Sequence, residues 1–171
     1  MSGGAPPSPA GERGGARVVV ACVGNALVGD DAIGCVVHDH LAAQPLPPGV
    51  RLQLLGVAGL RLLDDLCGED ALVAGAAVAL GAAPGTVHGI PWDDLPPSRG
   101  AVTSHGLGLR EVMELGQRLF PERTPRQAFL VGVEGRSFDR LGEAMTPAVA
   151  AAAAPAAAQV LALARRLGES R

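Results

Sequence analysis

An α/β fold with a mostly parallel sheet is predicted by two features of this 171-residue chain. Apolar runs of strand length alternate with segments of helical period, and the first run ends in a glycine-asparagine turn that leads straight into a helix. Such alternation sets consecutive strands side by side and parallel, with the connecting helices on both faces. A three-layer α/β/α sandwich is therefore expected. The length suits one domain, able to bury roughly 70% of the surface its unfolded chain exposes.

Met1 to Ala16 is rich in Gly, Pro and Ser and has no apolar segment resembling a signal peptide. It reads as a disordered tail, residues 1–16, ahead of a domain at 17–171. Val18 to Val23 is apolar and β-branched, as in a buried parallel strand. After Gly24-Asn25 the period changes: Ile33, Val36, Val37 and Leu41 recur at helical spacing. Leu52 to Leu55 read as a second strand, Leu60 to Leu66 as a short helix, and Ala71 to Val78 as a buried third strand. Pro84-Gly85 turns the chain into an edge strand at Thr86 to Ile90, followed by a proline-interrupted loop through Trp92 and Pro97. Gly108 to Leu119 is helical, with Leu109, Val112, Met113 and Leu119 as its apolar face, and Ala128 to Val133 is a further strand. Thr146-Pro147 starts a last helix, Thr as cap and Pro in first position, which should bend or break at Pro155.

Composition excludes several functions. The net charge is -3, all 14 basic residues are Arg, and three Phe, one Trp and no Tyr leave little to stack on bases, so no nucleic-acid partner is expected. The three cysteines, Cys22, Cys35 and Cys67, have no C-x-x-C spacing, which indicates neither a disulfide framework nor a zinc knuckle. Cys22 and Cys35 read as core thiols of a reducing compartment. The Ala-rich stretch 148–164 is the nearest approach to a membrane span, and Pro155 interrupts it. A soluble cytoplasmic protein with no membrane partner is expected. The first turn reads Gly24-Asn25-Ala26 rather than G-x-G-x-x-G, and the chain has no Lys for a P-loop and no G-x-S-x-G. Dinucleotide, P-loop and serine-hydrolase chemistry are thereby set aside, and no organic cofactor is expected.

The chemistry concentrates at Gly24-Asn25-Ala26-Leu27-Val28-Gly29-Asp30-Asp31-Ala32-Ile33-Gly34. Two adjacent carboxylates fall where the first strand becomes a helix, the edge of the sheet at which α/β proteins bind ligands. Helix capping would account for one Asp there, since a helix start favours negative charge. A second beside it asks for another role. Asp30 points about 100° around the helix from Asp31.

This stretch resembles the N-terminal motif of the hydrogenase maturation proteases, endopeptidases that trim the C-terminus of the nickel-iron hydrogenase large subunit after nickel insertion. The resemblance continues through Gly56-Val57-Ala58-Gly59, Pro84-Gly85-Thr86-Val87, Ser104-His105-Gly106-Leu107-Gly108-Leu109, Val131-Gly132-Val133-Glu134 and Met145-Thr146-Pro147-Ala148-Val149. These pieces stand in the family's order over residues 17–167. The resemblance implies the same three-layer sandwich and a site that engages nickel carried by the substrate, the large-subunit precursor. Asp31 and His105 match the family's metal-binding acid and loop histidine, and so are the implied catalytic and metal-contacting pair. Gly24, Asn25 and Gly56 are the implied substrate-binding positions.

The chain departs from the family at the site. Ala76, in Val73-Ala74-Gly75-Ala76-Ala77, is aligned with the family's third ligand, an Asp at the end of the third strand, and no carboxylate lies between Asp70 and Trp92. Leu54-Leu55-Gly56-Val57 stands where the family has Asp-Gly-Gly-Thr. His38, seven positions after Asp31, lies about 10 Å farther along the helix, too far to share an ion bound at about 2 Å. Glu134, at the C-terminal end of its strand, is a further candidate ligand. Two functions follow from the resemblance: an endopeptidase that cuts after nickel insertion, or a non-catalytic module that docks on the large subunit or another metalloprotein. The six motifs favour the first, and Ala76 with Leu54-Leu55 favours the second.

Overall fold

The computed structural model describes residues 17–56, 60–96 and 108–170. Five strands form one sheet: β1 (Val18–Val23), β2 (Val50–Leu55), β3 (Ala71–Val78), β4 (Val87–Pro91) and β5 (Gln127–Glu134). Among the described residues five α-helices accompany them: α1 (Ile33–Ala42), α2 (Arg61–Asp65), α3 (Leu109–Leu119), α4 (Pro147–Ala151) and α5 (Ala153–Glu169). β1 pairs in parallel with β2 and β3, β3 in parallel with β5, and β4 closes the far edge antiparallel to β5. The mostly parallel sheet and the edge position of the fourth strand are as the sequence predicts.

Alternation along the buried strands sorts the core into two slabs. Val18, Val20, Cys22, Val73, Ala77, Val131 and Val133 face α1 and α5, meeting Ile33, Val37, Leu41, Val160 and Ala164. Val19, Ala21, Val23, Leu72, Ala74, Val78 and Leu130 face the other way, onto Leu62 and Leu63 of α2, Val112 and Met113 of α3, and Trp92. This gives the three layers. Cys22 lies wholly within the first slab, where burial, helped by the charges at Cys35 and Asp39, pushes its thiol up to about 12. All three cysteines are free. Among the described residues no helix is long and apolar enough to cross a membrane.

Two helix expectations need correction. Leu119 is 58% exposed rather than part of the buried face of α3. The face closes one turn earlier, at Gly116, where an added Cβ would lie 2.6 Å from Leu63 Cδ2 and 2.8 Å from Thr124 Oγ1, and the last turn projects past that contact. The break expected at Pro155 falls between Ala151 and Ala153. Proline has no N–H and its ring collides with the carbonyl four residues back, so the disruption belongs one turn upstream. Thr146 occupies the cap position of α4 but makes no side-chain cap bond; its hydroxyl is used elsewhere.

The strand order β2-β1-β3-β5-β4 positions the site. The chain leaves β1 on one side to reach β2, then passes back across it to β3, so the connections diverge between β1 and β3. In open α/β sheets such a reversal leaves a crevice at the carboxyl ends of the strands, and ligands bind there. The turn carrying Asp30 and Asp31 follows directly from β1.

Candidate functional site

The turn from β1 to α1 is set by close packing. A Cβ on Gly34 would lie 1.8 Å from the Val23 carbonyl oxygen, and one on Gly24 would lie 2.6 Å from the Asp31 carbonyl oxygen. Only glycine at both positions lets the helix start so close to the strand end. The Asn25 side-chain oxygen accepts from Leu27 N at 3.0 Å, an Asx turn, while the Asn25 carbonyl accepts from Val28 N at 3.1 Å. The chain then makes a 3-10 turn, Gly29–Ala32, before α1. Gly24 and Asn25 thus have structural duties in addition to the substrate contact the sequence suggests. Gly56 is different, since a Cβ there would meet nothing within 4 Å among the described residues.

The two adjacent acids are both buried and make different bonds. Asp31 is 3% exposed, and its Oδ2 accepts from Asn25 N at 3.1 Å. Asp30 is fully buried. Its Oδ2 accepts from Arg136 N at 2.7 Å, Ser137 N at 3.0 Å and Thr146 Oγ1 at 2.9 Å, and its Oδ1 accepts from Thr146 N at 2.7 Å. Burial opposes the charge on Asp30, but the amides of Arg136, Thr146 and Ser137 and the Thr146 hydroxyl outweigh it, holding the carboxyl below the usual carboxylate range. Neither acid lends its side chain to cap α1, so simple capping does not explain the pair.

Glu134 ends β5 on the same carboxyl edge of the sheet and is 3% exposed. It is no solvated loop acid. Its Oε1 accepts from Leu80 N and Gly81 N, both at 2.8 Å, and its Oε2 lies 3.0 Å from His88 Nε2. Backbone bonds to Thr86 and Gly85 complete the clamp. The carboxylate that the sequence offers as a metal ligand is therefore occupied in tying the β3–β4 connection to β5. His88, which sequence reasoning did not single out, is its partner. No local pattern announces the pair, because an antiparallel register across the sheet edge brings it together.

Ala76 is 5% exposed and lies inside β3, paired with Gly132 of β5. The strand continues two residues farther, to Val78, as the apolar run predicts, so the position does not end the strand as the family resemblance implies. Bonding between β3 and β5 persists to Val78 opposite Glu134, which carries regular structure past it. The Ala76 side chain belongs to the slab facing α2 and α3. Leu54 is 44% exposed near the end of β2, and Leu55 is buried. His38 is paired with its neighbour Asp39, Nδ1 to Oδ1 at 3.3 Å. His105 lies outside the described residues, as does the Val57-Ala58-Gly59 segment. Among the described residues no three His, Cys, Asp or Glu side chains come together to hold a metal ion.

The sequence and fold have clear relatives. Residues 35–163 match the family "Hydrogenase maturation protease". That span opens in α1, so it bears on the framework rather than on the Asp30–Asp31 turn. The chain is 36% identical to the hydrogenase 2 maturation protease of Escherichia coli K12 over 156 residues, 89% of this chain and 93% of the relative. It is 31% identical to the hydrogenase expression/formation protein HupM of Azotobacter chroococcum over 149 residues, 85% of this chain and 70% of the relative. Its fold is similar to that of the hydrogenase maturating endopeptidase HybD from E. coli, with a TM-score of 0.73 at 32% identity over 89% of this chain and 94% of that one. By sequence and by fold, this chain belongs to the hydrogenase maturation protease family.

Proposed function

We propose that this chain removes the C-terminal extension of a nickel-iron hydrogenase large-subunit precursor, in the cytoplasm and after nickel insertion, with Asp31 and His105 engaging the nickel that the precursor carries. That it is a proteolytic enzyme of hydrogenase maturation follows from its family. The observation that supports the finer reading is the position of Asp31: a nearly buried carboxylate at the carboxyl end of β1, beside the reversal between β1 and β3.

A carboxylate and an imidazole suit nickel as a borderline divalent ion. In this reading the metal arrives already held by precursor groups, and Asp31 and His105 complete its surroundings. Docking on the metal sets the scissile peptide against the site, which supplies the orientation that a reaction of bound groups needs. Asp31 then orients a water and accepts its proton as the oxygen attacks the peptide carbonyl. The C–N bond breaks, and the amine leaves with a proton returned from the acid. A precursor without nickel offers nothing for the pair to grip, so recognition doubles as a check on completed insertion. Ala76 leaves the protein with one carboxylate fewer than the family set, and the precursor's own ligands make up the remainder of the coordination.

The test uses Asp31→Ala and His105→Ala. Each should abolish release of the C-terminal peptide from nickel-loaded precursor, with thermal melts showing that the variant is folded. Full release by either variant would refute the assignment of that residue. A wild type that binds loaded precursor and never cuts it would make the chain a non-catalytic module.

A further inference from the structure

We propose that Asp30 is the positioning residue of this site: its buried carboxylate fastens the turn that carries Asp31 to the 135–146 loop, and so fixes where the Asp31 carboxylate meets the substrate's nickel. The inference rests on the reading of Asp31 as a nickel contact. It goes beyond that reading by giving the second acid of the pair a separate task.

The geometry is that of a seam between two segments over 100 residues apart. Four donors converge on the two oxygens of Asp30, three of them backbone or hydroxyl groups of Arg136, Ser137 and Thr146 on one oxygen, and the amide of Thr146 on the other. Asp30 N returns a bond to the Ser137 carbonyl at 2.8 Å. Farther along, Val28 bridges Leu141 antiparallel, and Gly142 N donates to the Leu27 carbonyl at 2.8 Å. Two glycines make the approach possible. A Cβ on Gly135 would stand 2.9 Å from Asp30 Cβ, and one on Gly29, whose φ is +34°, would stand 2.7 Å from the Ser137 carbonyl oxygen. Asp31 is the next residue on this fastened turn, its own amide bonded to the Val28 carbonyl at 2.9 Å. Whatever moves Asp30 therefore moves Asp31.

The site asks for a carboxylate in particular. An aspartate offers only acceptors to four donors, whereas an asparagine would turn its NH2 toward at least one of them. Asp30 is fully buried, so it cannot touch the precursor and can act only through its neighbour. A displacement on the order of 1 Å in a reacting group costs up to about 100-fold in rate. Such a displacement leaves the outer docking surface in place.

The experiment compares wild type, Asp30→Asn, Thr146→Val and Asp31→Ala on nickel-loaded precursor, with thermal melts to establish folding. Asp30→Asn should lower kcat by about tenfold or more, with any rise in KM smaller than that fall, and Thr146→Val, which removes one donor of four, should give a smaller loss in the same sense. A folded Asp30→Asn with unchanged kcat, or one that raises KM and leaves kcat alone, would overturn the proposal. Should Asp30→Asn fail to fold, Thr146→Val decides by the same criterion. If Asp31→Ala still releases peptide, the underlying reading of Asp31 fails and the positioning role fails with it. If Asp31→Ala is dead and Asp30→Asn is not, only the positioning role fails. Where the wild type binds without cutting, the same variants are compared by their ratio of affinities for loaded over nickel-free precursor: a lower ratio for Asp30→Asn supports the role, and an equal ratio overturns it.

Discussion

The Asp30 carboxylate takes hydrogen bonds from positions 106, 107 and 116 residues away in the chain. Its folded pKa is depressed against the opposing effect of burial. The unfolded chain, with Asp titrating near about 3.9, then binds the proton more tightly than the folded protein. Stability drawn from these bonds is therefore fully present above about pH 4 and is lost as the pH falls through the depressed folded value. Urea melts of the nickel-free protein should show Asp30→Asn less stable than wild type by about 2–4 kcal/mol at pH 7, the cost of misfitting a buried charged acceptor among donors. The gap should narrow between about pH 4 and pH 2. A gap that stays constant over that range would mean that Asp30 is not charged in the folded state. Asp30 and Asp31 stand out in the sequence as a pair, but periodicity does not say which one faces which way. The partners of Asp30 become its neighbours only through tertiary packing. The same holds for Glu134, whose place at a strand end is readable but whose bonds to Leu80, Gly81 and His88 need the sheet edge to be assembled first.

At the level of elements, the buried strands β1 and β3 are legible almost to the residue, because continuous apolar runs bounded by turns leave little choice. β4 is legible as an edge strand from the Pro84-Gly85 turn, and Gly85 does take a positive φ of 85° there. The break in the last helix is readable as a break but is displaced by a turn, since the proline acts on the carbonyl behind it. The apolar run to Val78 already sets Ala76 inside its strand, whereas the family resemblance implies a ligand at the strand end, and pairing with β5 does hold to Val78. That placement changes what Ala76→Asp should do. A carboxylate there enters a nearly buried position among apolar groups, so the variant should melt lower than wild type. Nickel affinity should nevertheless rise by roughly tenfold or more if the missing ligand is all the site lacks. Calorimetry with nickel that shows no gain for folded Ala76→Asp would mean the surrounding positions, Leu54 and Leu55 among them, have been remodelled along with it.

Considered as a whole, the molecule places the Asp31 turn by topology. The reversal of strand order between β1 and β3 falls at the carboxyl edge of the sheet, where open α/β sheets bind ligands, and the turn carrying Asp31 lies on that edge. The glycines of the β1–α1 junction and the Asp30 seam hold that turn in place, and the two core slabs fix the sheet behind it. In the proposed mechanism, peptide release depends on nickel in the substrate. The most direct measurement incubates the wild-type chain with nickel-loaded and with nickel-free large-subunit precursor and follows the precursor's C-terminus by mass spectrometry. The loaded precursor should lose one defined C-terminal peptide while the nickel-free precursor stays intact. Equal cleavage of both would contradict nickel recognition, and cleavage of neither would contradict the enzyme.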